Sequence, residues 1–184
     1  MPIVAKASAS TFLPAPAGTH AAVCCDVVDL GILKVSFGGK DKMQHKVRVV
    51  WQIAEDRPDG KPFQASKRYT LSLHEKSSLR KDLESWRGRK FSDSELEGFD
   101  LEALLGIHCL LNIIEEKKDG QSYSNVTSIM RLPKGMTAIN VRDYVRVCDR
   151  QTTGEPGPQD LSEMPAPDSE WDRYHGITDD DVPF

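Results

Sequence analysis

The chain has 184 residues, of which 39% are hydrophobic and 28% are charged, enough for one buried core in a single domain with an appendage. The formal net charge is −4. No apolar run approaches the length that a membrane-spanning helix needs. Residues 1–18 are rich in Ala, Ser and Pro but lack the basic start and apolar stretch of a secretion signal. We therefore expect neither a membrane protein nor an exported one.

The cysteines indicate a reducing compartment. There are four, and none of them forms a C-x-x-C pair. Adjacent Cys24 and Cys25 would point to opposite faces of a strand, so a disulfide framework is a poor explanation for them. Reduced thiols in a cytoplasmic protein are the expected state.

The charge is divided unevenly along the chain. Residues 151–184 contain nine acidic residues and one basic residue, a net charge of −8. Residues 1–150 contain 23 basic and 19 acidic residues, a net charge of +4. A mildly basic body with an acidic tail is the asymmetry expected of a nucleic-acid binder that has a separate interaction segment.

The first part of the chain has the pattern of an arm followed by three strands. Residues 1–17 are predicted to be a flexible arm, because Pro2, Pro14 and Pro16 discourage regular structure. A long strand is predicted over Thr19–Leu30, continuing or bending through Val35 before a flexible loop at 38–42. The second strand is His45–Ile53. The third, after a Pro-Asp-Gly turn at 58–60, is Phe63–Leu73.

Alternation in the second strand separates a core face from a polar face. Apolar residues fall on the odd positions, and polar residues dominate the even ones. The odd face is predicted to face the core and the even face to carry cations. The odd face consists of Val47, Val49, Trp51 and Ile53, and the even face of Lys46, Arg48, Val50 and Gln52.

A helical segment follows the third strand. Leu79, Leu83 and Trp86 fall on one helical stripe within Ser77–Arg87, and Gly88 is expected to end the helix. Ser92 with Glu95 three residues later is a capping-box signature for a short second helix. Asp100 is expected to cap a third turn that Gly106 closes.

The last part of the domain has the pattern of a hairpin. Strands are predicted over His108–Glu115 and Gln121–Leu132, joined through Asp119-Gly120, a strong turn signal. Thr137–Cys148 is expected to add a peripheral strand or a short helix. From residue 151 the Pro, Gly and acidic content predicts a disordered tail. The domain therefore spans residues 18–150 and the tail residues 151–184.

The order of elements indicates a mainly β fold. Three strands, a helical segment and a two-stranded hairpin match the five-stranded OB-fold barrel, whose helix lies between the third and the fourth strand. Such a barrel leaves one curved face free for a ligand.

The last six residues join three solvated carboxylates to a terminal aromatic side chain. A partner with a hydrophobic pocket and a basic rim could hold this Phe side chain and a C-terminal carboxylate together. The D-D-D-V-P-F sequence resembles the acidic tip of bacterial and phage single-stranded-DNA-binding proteins. Residues 14–136 also resemble small phage-encoded replication and recombination proteins of this kind. The partner-binding residues that the resemblance implies are Asp179, Asp180, Asp181, Val182, Pro183 and Phe184.

This resemblance implies a non-enzymatic protein that coats single-stranded DNA, independently of its sequence, in the cytoplasm of a phage-infected cell. Its acidic tip would recruit replication, recombination or repair proteins, and the tail would compete with DNA for the basic groove. Neither a cofactor nor a metal ion is expected. No histidine cluster has metal-ligand spacing, and Gly38-Gly39-Lys40 lacks the full phosphate-loop pattern.

Binding a single strand requires cations for phosphates and aromatic faces for bases. The strands, the end of the first helix and the tip of the last hairpin supply candidates for both. Trp51 and Trp86 are assigned to the core, because each shares a face with apolar neighbours. The predicted DNA-binding residues are Lys34, Lys40, Lys42, Lys46, Arg48, Lys67, Arg68, Tyr69, Arg87, Arg89, Lys90, Lys117, Lys118 and Tyr123.

Three other functions stay open. The same surfaces would serve a strand-annealing or recombination-mediator protein. The acidic tail could instead mimic DNA and block a host nuclease, in which case the body would bind no DNA. A metal-dependent nuclease is disfavoured, because the adjacent acidic pairs Glu55-Asp56 and Glu115-Glu116 lie beside predicted turns.

Overall fold

The computed structural model of the chain describes residues 13–37, 40–118 and 121–150. Within these ranges the protein is mainly β, as predicted, with five strands and two helices. The strands are β1 (Gly18–Phe37), β2 (Lys40–Asp56), β3 (Pro62–Thr70), β4 (His108–Lys118) and β5 (Gln121–Arg131), and the helices are α1 (Ser78–Arg87) and α2 (Asp93–Leu96).

All five strands lie in one antiparallel sheet with the order β3-β2-β1-β4-β5. β1 is the central strand because its length lets it pair with β2 along one edge and with the start of β4 along the other. The helices lie between β3 and β4 in the chain, as predicted. No strand ladder within the described ranges joins β3 to β5, so the sheet is not closed into the predicted barrel.

β1 and β2 form a hairpin that is longer than the sequence indicated. Pairing continues from Gly31↔Lys46 to Phe37↔Lys40, so residues 40–44, expected to be loop or its flank, belong to β2. The β-branched and apolar residues of 32–35 favour this extension. It begins at a register shift between Asp29 and Gly31, where Gly31 adopts a φ of 69°. We call paired residues 31–37 and 40–46 the hairpin arm.

The core lies on the odd face of β2, as the alternation predicted. Val47, Val49, Trp51 and Ile53 are all buried. The stripe of α1, which consists of Leu79, Leu83 and Trp86, packs into the same cluster.

Two indole contacts join α1 to the sheet. The ring centroids of Trp51 and Trp86 lie 5.9 Å apart, and Trp86 Nε1 donates to the His108 carbonyl oxygen at 2.9 Å. The assignment of both tryptophans to the core is confirmed.

The predicted helix boundaries are also observed. Ser77 caps α1 by accepting a hydrogen bond from the Arg80 amide, and Gly88, with a φ of 70°, ends the helix. The Glu95 carboxylate accepts from the Ser92 amide at 3.0 Å in the capping box of α2. Asp100 caps the 3₁₀ turn Leu101–Leu104.

Residues 137–148 adopt neither of the regular structures expected for them. Apart from a 3₁₀ turn at Val147–Asp149, the segment is irregular and packs on the sheet. Gln52 holds it through both atoms of its amide. Its Nε2 donates to the Arg142 carbonyl oxygen at 2.7 Å, and its Oε1 accepts from the Arg142 amide at 2.8 Å. We call residues 139–147 the strap.

Asp26 is the second anchor of the strap and is buried, with 1% exposure. Its carboxylate accepts hydrogen bonds from the Tyr144 hydroxyl at 2.9 Å and from the Val147 amide at 2.8 Å. Arg146 Nε lies 3.3 Å from the same carboxylate and supplies a compensating charge. The strap therefore covers the even face of β2 at the Val50–Gln52 end.

The parts of the chain outside this description include two predicted segments. They are residues 1–12 of the expected arm and the whole of the expected acidic tail, which includes the predicted partner-binding tip at 179–184. In the described residues, no helix combines the length and the apolar character needed to cross a bilayer.

Candidate nucleic-acid interface

The even face of β2 carries a row of cations beyond the strap. Lys42, Lys46 and Arg48 occupy even positions of one uninterrupted strand, with Gln44 between them. Successive members of such a row are about 7 Å apart, because a strand rises about 3.4 Å per residue. Lys40 begins the row by its register position, and its side chain lies outside the description.

β3 adds a further cation beside this row. Arg68 is exposed and pairs with Arg48, while Thr70 pairs with Lys46, so both lie on the even face. Lys46 Nζ donates to Thr70 Oγ1 at 2.8 Å, and Thr70 Oγ1 donates to Gln44 Oε1 at 3.2 Å. We call the surface of Lys42, Gln44, Lys46, Arg68 and Thr70 the basic face.

Apolar residues of β1 border the basic face. Leu33 pairs with Gln44, and Val35 pairs with Lys42, so their side chains lie on the same side of the arm as the cations. Leu33 is 41% exposed and Val35 is half-buried. A row of cations is suited to a chain of phosphates, and unstacked bases can make hydrophobic contact with the aliphatic surface beside it.

Arg48 differs from the other members of its row. Its side chain is buried, with only 6% exposure, between Val28 of β1 and Arg68 of β3. The prediction of a direct phosphate contact by Arg48 is therefore corrected. Alternation assigned its face correctly but could not show that neighbours on both adjacent strands would cover it.

Tyr69 was predicted to stack on a base, and this prediction is wrong. Its register partner is the core residue Val47, and the ring is 2% exposed. The hydroxyl donates to Asp82 Oδ2 at 2.8 Å, and burial raises the pKa of the phenol well above its usual value. The ring face is packed in the core and is not available to a ligand.

Lys67 lies beside Tyr69 and shares its acceptor. Lys67 Nζ is 2.8 Å from Asp82 Oδ2 and 5.4 Å from the centre of the Tyr69 ring. Because Lys67 pairs with Val49, it lies on the core side of the sheet, at its rim. Lys67 therefore joins β3 to α1 and does not belong to the basic face.

Lys34 lies on the other side of the hairpin arm. It pairs with Met43, an odd position, and its Nζ is 2.6 Å from Asp41 Oδ2. This contact lowers the pKa of the Asp41 carboxyl below its usual value. The structure thus separates Lys34 from Lys42 and Lys46, although the sequence placed all three in one group.

The densest basic cluster of the sequence is largely internal to the fold. Arg87 and Arg89 both pair with Glu95, and hydrogen bonds from Arg89, from the Ser92 amide and from Arg87 hold the pKa of Glu95 far below its usual range. The Arg87 guanidinium also lies over the ring of Phe91, 4.5 Å from its centre. Exposed Lys90 adjoins this cluster. The cluster holds α2 to α1, on the core side of the sheet.

The remaining candidates lie on the β4–β5 hairpin. Lys117 is exposed and pairs with Ser122, while Tyr123 is half-buried and pairs with Glu116. Lys118 pairs with residue 121, and its side chain lies outside the description. β1 separates this hairpin from β2 in the sheet, so these residues are not part of the basic face.

Groups suited to covalent or metal chemistry are few in the described part of the chain. No cluster of three or more His, Cys, Asp or Glu side chains there could hold a metal ion. Burial raises the pKa of the Cys24 thiol to about 12, and it shifts the pKa of Cys25 and Cys109 in the same direction. These thiols remain protonated at neutral pH and are poor nucleophiles.

Sequence patterns do not predict three contributors to this surface. They are Gln44, Thr70 and Leu33, whose residue types do not by themselves indicate DNA binding. Only the cross-strand register places them on this surface. Asp26, which anchors the strap that borders the basic face, likewise has no distinguishing signal in the sequence. No protein-family model matches the sequence, and no curated protein matches it either.

Proposed function

We propose that this protein binds single-stranded DNA on the basic face, without catalysis and largely without sequence preference, during phage-type replication or recombination. The observation that carries the proposal is that Lys42 and Lys46 lie on the same face of β2, with Gln44 between them. Arg68 of β3 reinforces them, and Leu33 and Val35 of β1 border them. Phosphates follow the cations, and bases lie against the aliphatic border through hydrophobic contact. Lys42, Lys46 and Arg68 are the principal contacts.

The strand order supports an OB-fold as the scaffold for this function. In an OB-fold the first strand pairs with both the second and the fourth, and the third strand approaches the fifth. Here β1 pairs with β2 and β4, and β3 and β5 come close to each other at the two free edges of the sheet. The OB-fold commonly binds oligonucleotides on the face of its second and third strands, which corresponds to the basic face.

The acidic tail provides the regulation in this proposal. Its charge of −8 opposes the +4 of the rest of the chain, and tethering keeps it at millimolar-scale concentration near the basic face. A single strand releases counterions when it binds and displaces the tail. The tip then becomes available to replication or repair proteins, with Phe184 in a partner pocket and Asp179–Asp181 directing the approach.

A titration of the full chain with fluorescent oligo-dT and with duplex DNA tests the proposal. We expect tight binding to the single strand that depends on its length and weakens steeply with salt, and weaker binding to the duplex. No binding would favour the DNA-mimicking inhibitor of a nuclease. Cleavage of the oligonucleotide with Mg²⁺ would indicate a nuclease, and accelerated pairing of complementary strands would add annealing to the proposed function.

Removing residues 179–184 tests the tail separately. The shortened chain should bind oligo-dT with unchanged or higher affinity, because a competitor of DNA is weakened. It should lose the capture of replication or recombination proteins that the full chain shows. Loss of DNA binding after this deletion would contradict the proposed division of labour.

A further inference from the structure

We propose that a β-bulge at the base of the hairpin arm gives the basic face its preference for unpaired bases. The bulge turns Val35 towards the bound DNA and Lys34 away from it. This inference rests on the proposed function, and it identifies Leu30 and Gly31 as the residues that determine which kind of side chain the arm presents to DNA.

The bulge is one extra residue in β1. Asp29 pairs with Val47 and Gly31 pairs with Lys46, so two steps along β1 correspond to one step along β2. Leu30 is therefore the additional residue, and we call Leu30 and Gly31 the bulge. Because side chains alternate along a strand, one extra residue reverses the face of all the residues that follow it.

This reversal decides which residues of the arm border the cations. With the bulge, Val35 lies opposite Lys42 and thus on the side of the basic face. Lys34 lies opposite Met43 on the other side, where its Nζ is 2.6 Å from Asp41 Oδ2. An aliphatic side chain therefore stands where the neighbouring residue would have placed a cation.

A ladder without the bulge is available to the same sequence. It would begin with Leu30 opposite Lys46 and would contain as many pairs as the observed arm. In this slipped register Lys34 would lie opposite Lys42, in the position that Val35 now occupies. The number of backbone pairs does not distinguish the two registers, so the bulge itself must be what selects the observed one.

The conformation of Gly31 holds the bulge in place. Its φ of 69° lies in the left-handed region, which glycine adopts without the steric cost that other residues incur. Its amide donates to Asp29 Oδ1 at 2.7 Å, and the same oxygen lies 2.6 Å from His45 Nε2. No described atom lies within 4 Å of the Cβ that a substitution of Gly31 would add. A substitution there therefore acts through the backbone conformation and not through a clash.

The exchange of Lys34 for Val35 changes selectivity as well as charge. Single-stranded and duplex DNA both offer phosphates to a lysine, whereas only an unpaired strand offers exposed base faces to an aliphatic side chain. In the slipped register Ile32 would replace Leu33 with little change, so the difference between the registers is Val35 against Lys34. Half-burying a valine side chain against a base is worth about threefold in affinity.

The test replaces the glycine and then removes the extra residue. In Gly31→Val a β-branched residue should disfavour the left-handed conformation by about tenfold or more. Like charges at Lys34 and Lys42 oppose the slipped register by only about threefold, so the arm should slip. The matched control is Gly31→Val with Leu30 deleted, a flat ladder in which Val35 again lies opposite Lys42.

Three properties of the full-length chains are measured. They are the affinities for oligo-dT and for duplex DNA, the dependence of both on salt, and the acetylation of Lys34 with and without oligo-dT. In Gly31→Val, DNA should protect Lys34, the slope of log affinity for oligo-dT against log salt should steepen by about 0.7, and the preference for the single strand should narrow by about threefold. The control, and a chain with Leu30 deleted alone, should behave as wild type.

Two results would overturn the inference and leave the proposed function standing. One is a Gly31→Val variant with reactive Lys34 and an unchanged slope, and the other is a control that keeps the altered binding of Gly31→Val. Altered selectivity after deletion of Leu30 alone, which requires no left-handed residue, would also overturn it, because the facing of Val35 is then unchanged. A wild-type chain without preference for the single strand would overturn both the inference and the proposed function.

Discussion

Replacing the three principal cations of the basic face with glutamine should flatten the salt dependence of DNA binding. The variant is Lys42→Gln, Lys46→Gln and Arg68→Gln, which removes three charges and preserves side-chain length as far as possible. Each phosphate contact to a single strand contributes about 0.7 to the slope of log affinity against log salt, so three contacts account for roughly 2. Over a fourfold rise in salt the wild type should lose about 15-fold more affinity than the variant.

The assay is fluorescence anisotropy of labelled oligo-dT between 50 mM and 200 mM salt. The matched control is Lys76→Gln, Lys81→Gln and Lys134→Gln, three exposed lysines on the helical side and in the turn after β5. It changes the net charge by the same amount. A slope that falls equally in both variants would show that total charge, and not the basic face, governs binding. An unchanged slope in the first variant would refute the placement of the phosphates.

Three further predictions concern the fold and the corrected residues. Asp26→Ala should destabilise the protein by about 2–4 kcal/mol in urea unfolding, because its buried partners from the strap lose their acceptor. The control Asp56→Asn affects an exposed pair and should cost under about 1 kcal/mol. Equal costs would contradict the anchoring role of Asp26. Because Arg89 depresses the pKa of Glu95, the Glu95 carboxylate stabilises the fold above its unfolded pKa of about 4.3, and this stabilisation is lost as the pH falls. The difference in urea midpoint between wild type and Glu95→Gln should therefore be largest at pH 7 and shrink below about pH 5. A difference that grows in acid would contradict this prediction. Tyr69→Phe should cost about 1 kcal/mol of stability, because it removes the hydrogen bond to Asp82. It should leave the affinity for oligo-dT unchanged. A loss of DNA binding would show that Tyr69 contacts DNA after all.

Local chemistry made much of the fold predictable. The alternation around Val49 and Trp51 identified the core face of β2, because a half-buried strand repeats every two residues. The stripe ending at Trp86 and the glycine after it fixed α1, because helical spacing and left-handed termination are local properties. The Asp-Gly pair placed the β4–β5 hairpin, again from neighbouring residues alone.

The errors come from non-local pairing. Tyr69 looked like a surface aromatic beside two basic residues, but its register opposite Val47 turns it into the core. Lys34 and Lys42 look equivalent in the sequence, yet the register of the arm places them on opposite sides. A shift of one residue reverses the face of every side chain in a strand, and the sequence does not specify that register.

The strap was unpredictable for a different reason. Its residues have no apolar periodicity, and it is held by polar contacts to Asp26 and Gln52, which lie far away in the chain. Buried polar partners of this kind appear in a sequence as ordinary surface residues. The order of the elements along the chain and the number of strands could be predicted, whereas the strap over the Val50–Gln52 end of the even face of β2 could not.

A lysine-acetylation footprint of the full chain, read by mass spectrometry with and without a one-site oligo-dT, tests the central claim most directly. The basic face predicts that DNA protects Lys42 and Lys46, while Lys34, on the other side of the same arm, and Lys81, on α1, keep their reactivity. Protection of Lys34 or Lys81 with Lys42 and Lys46 left reactive would contradict the account, as would a footprint that DNA does not change.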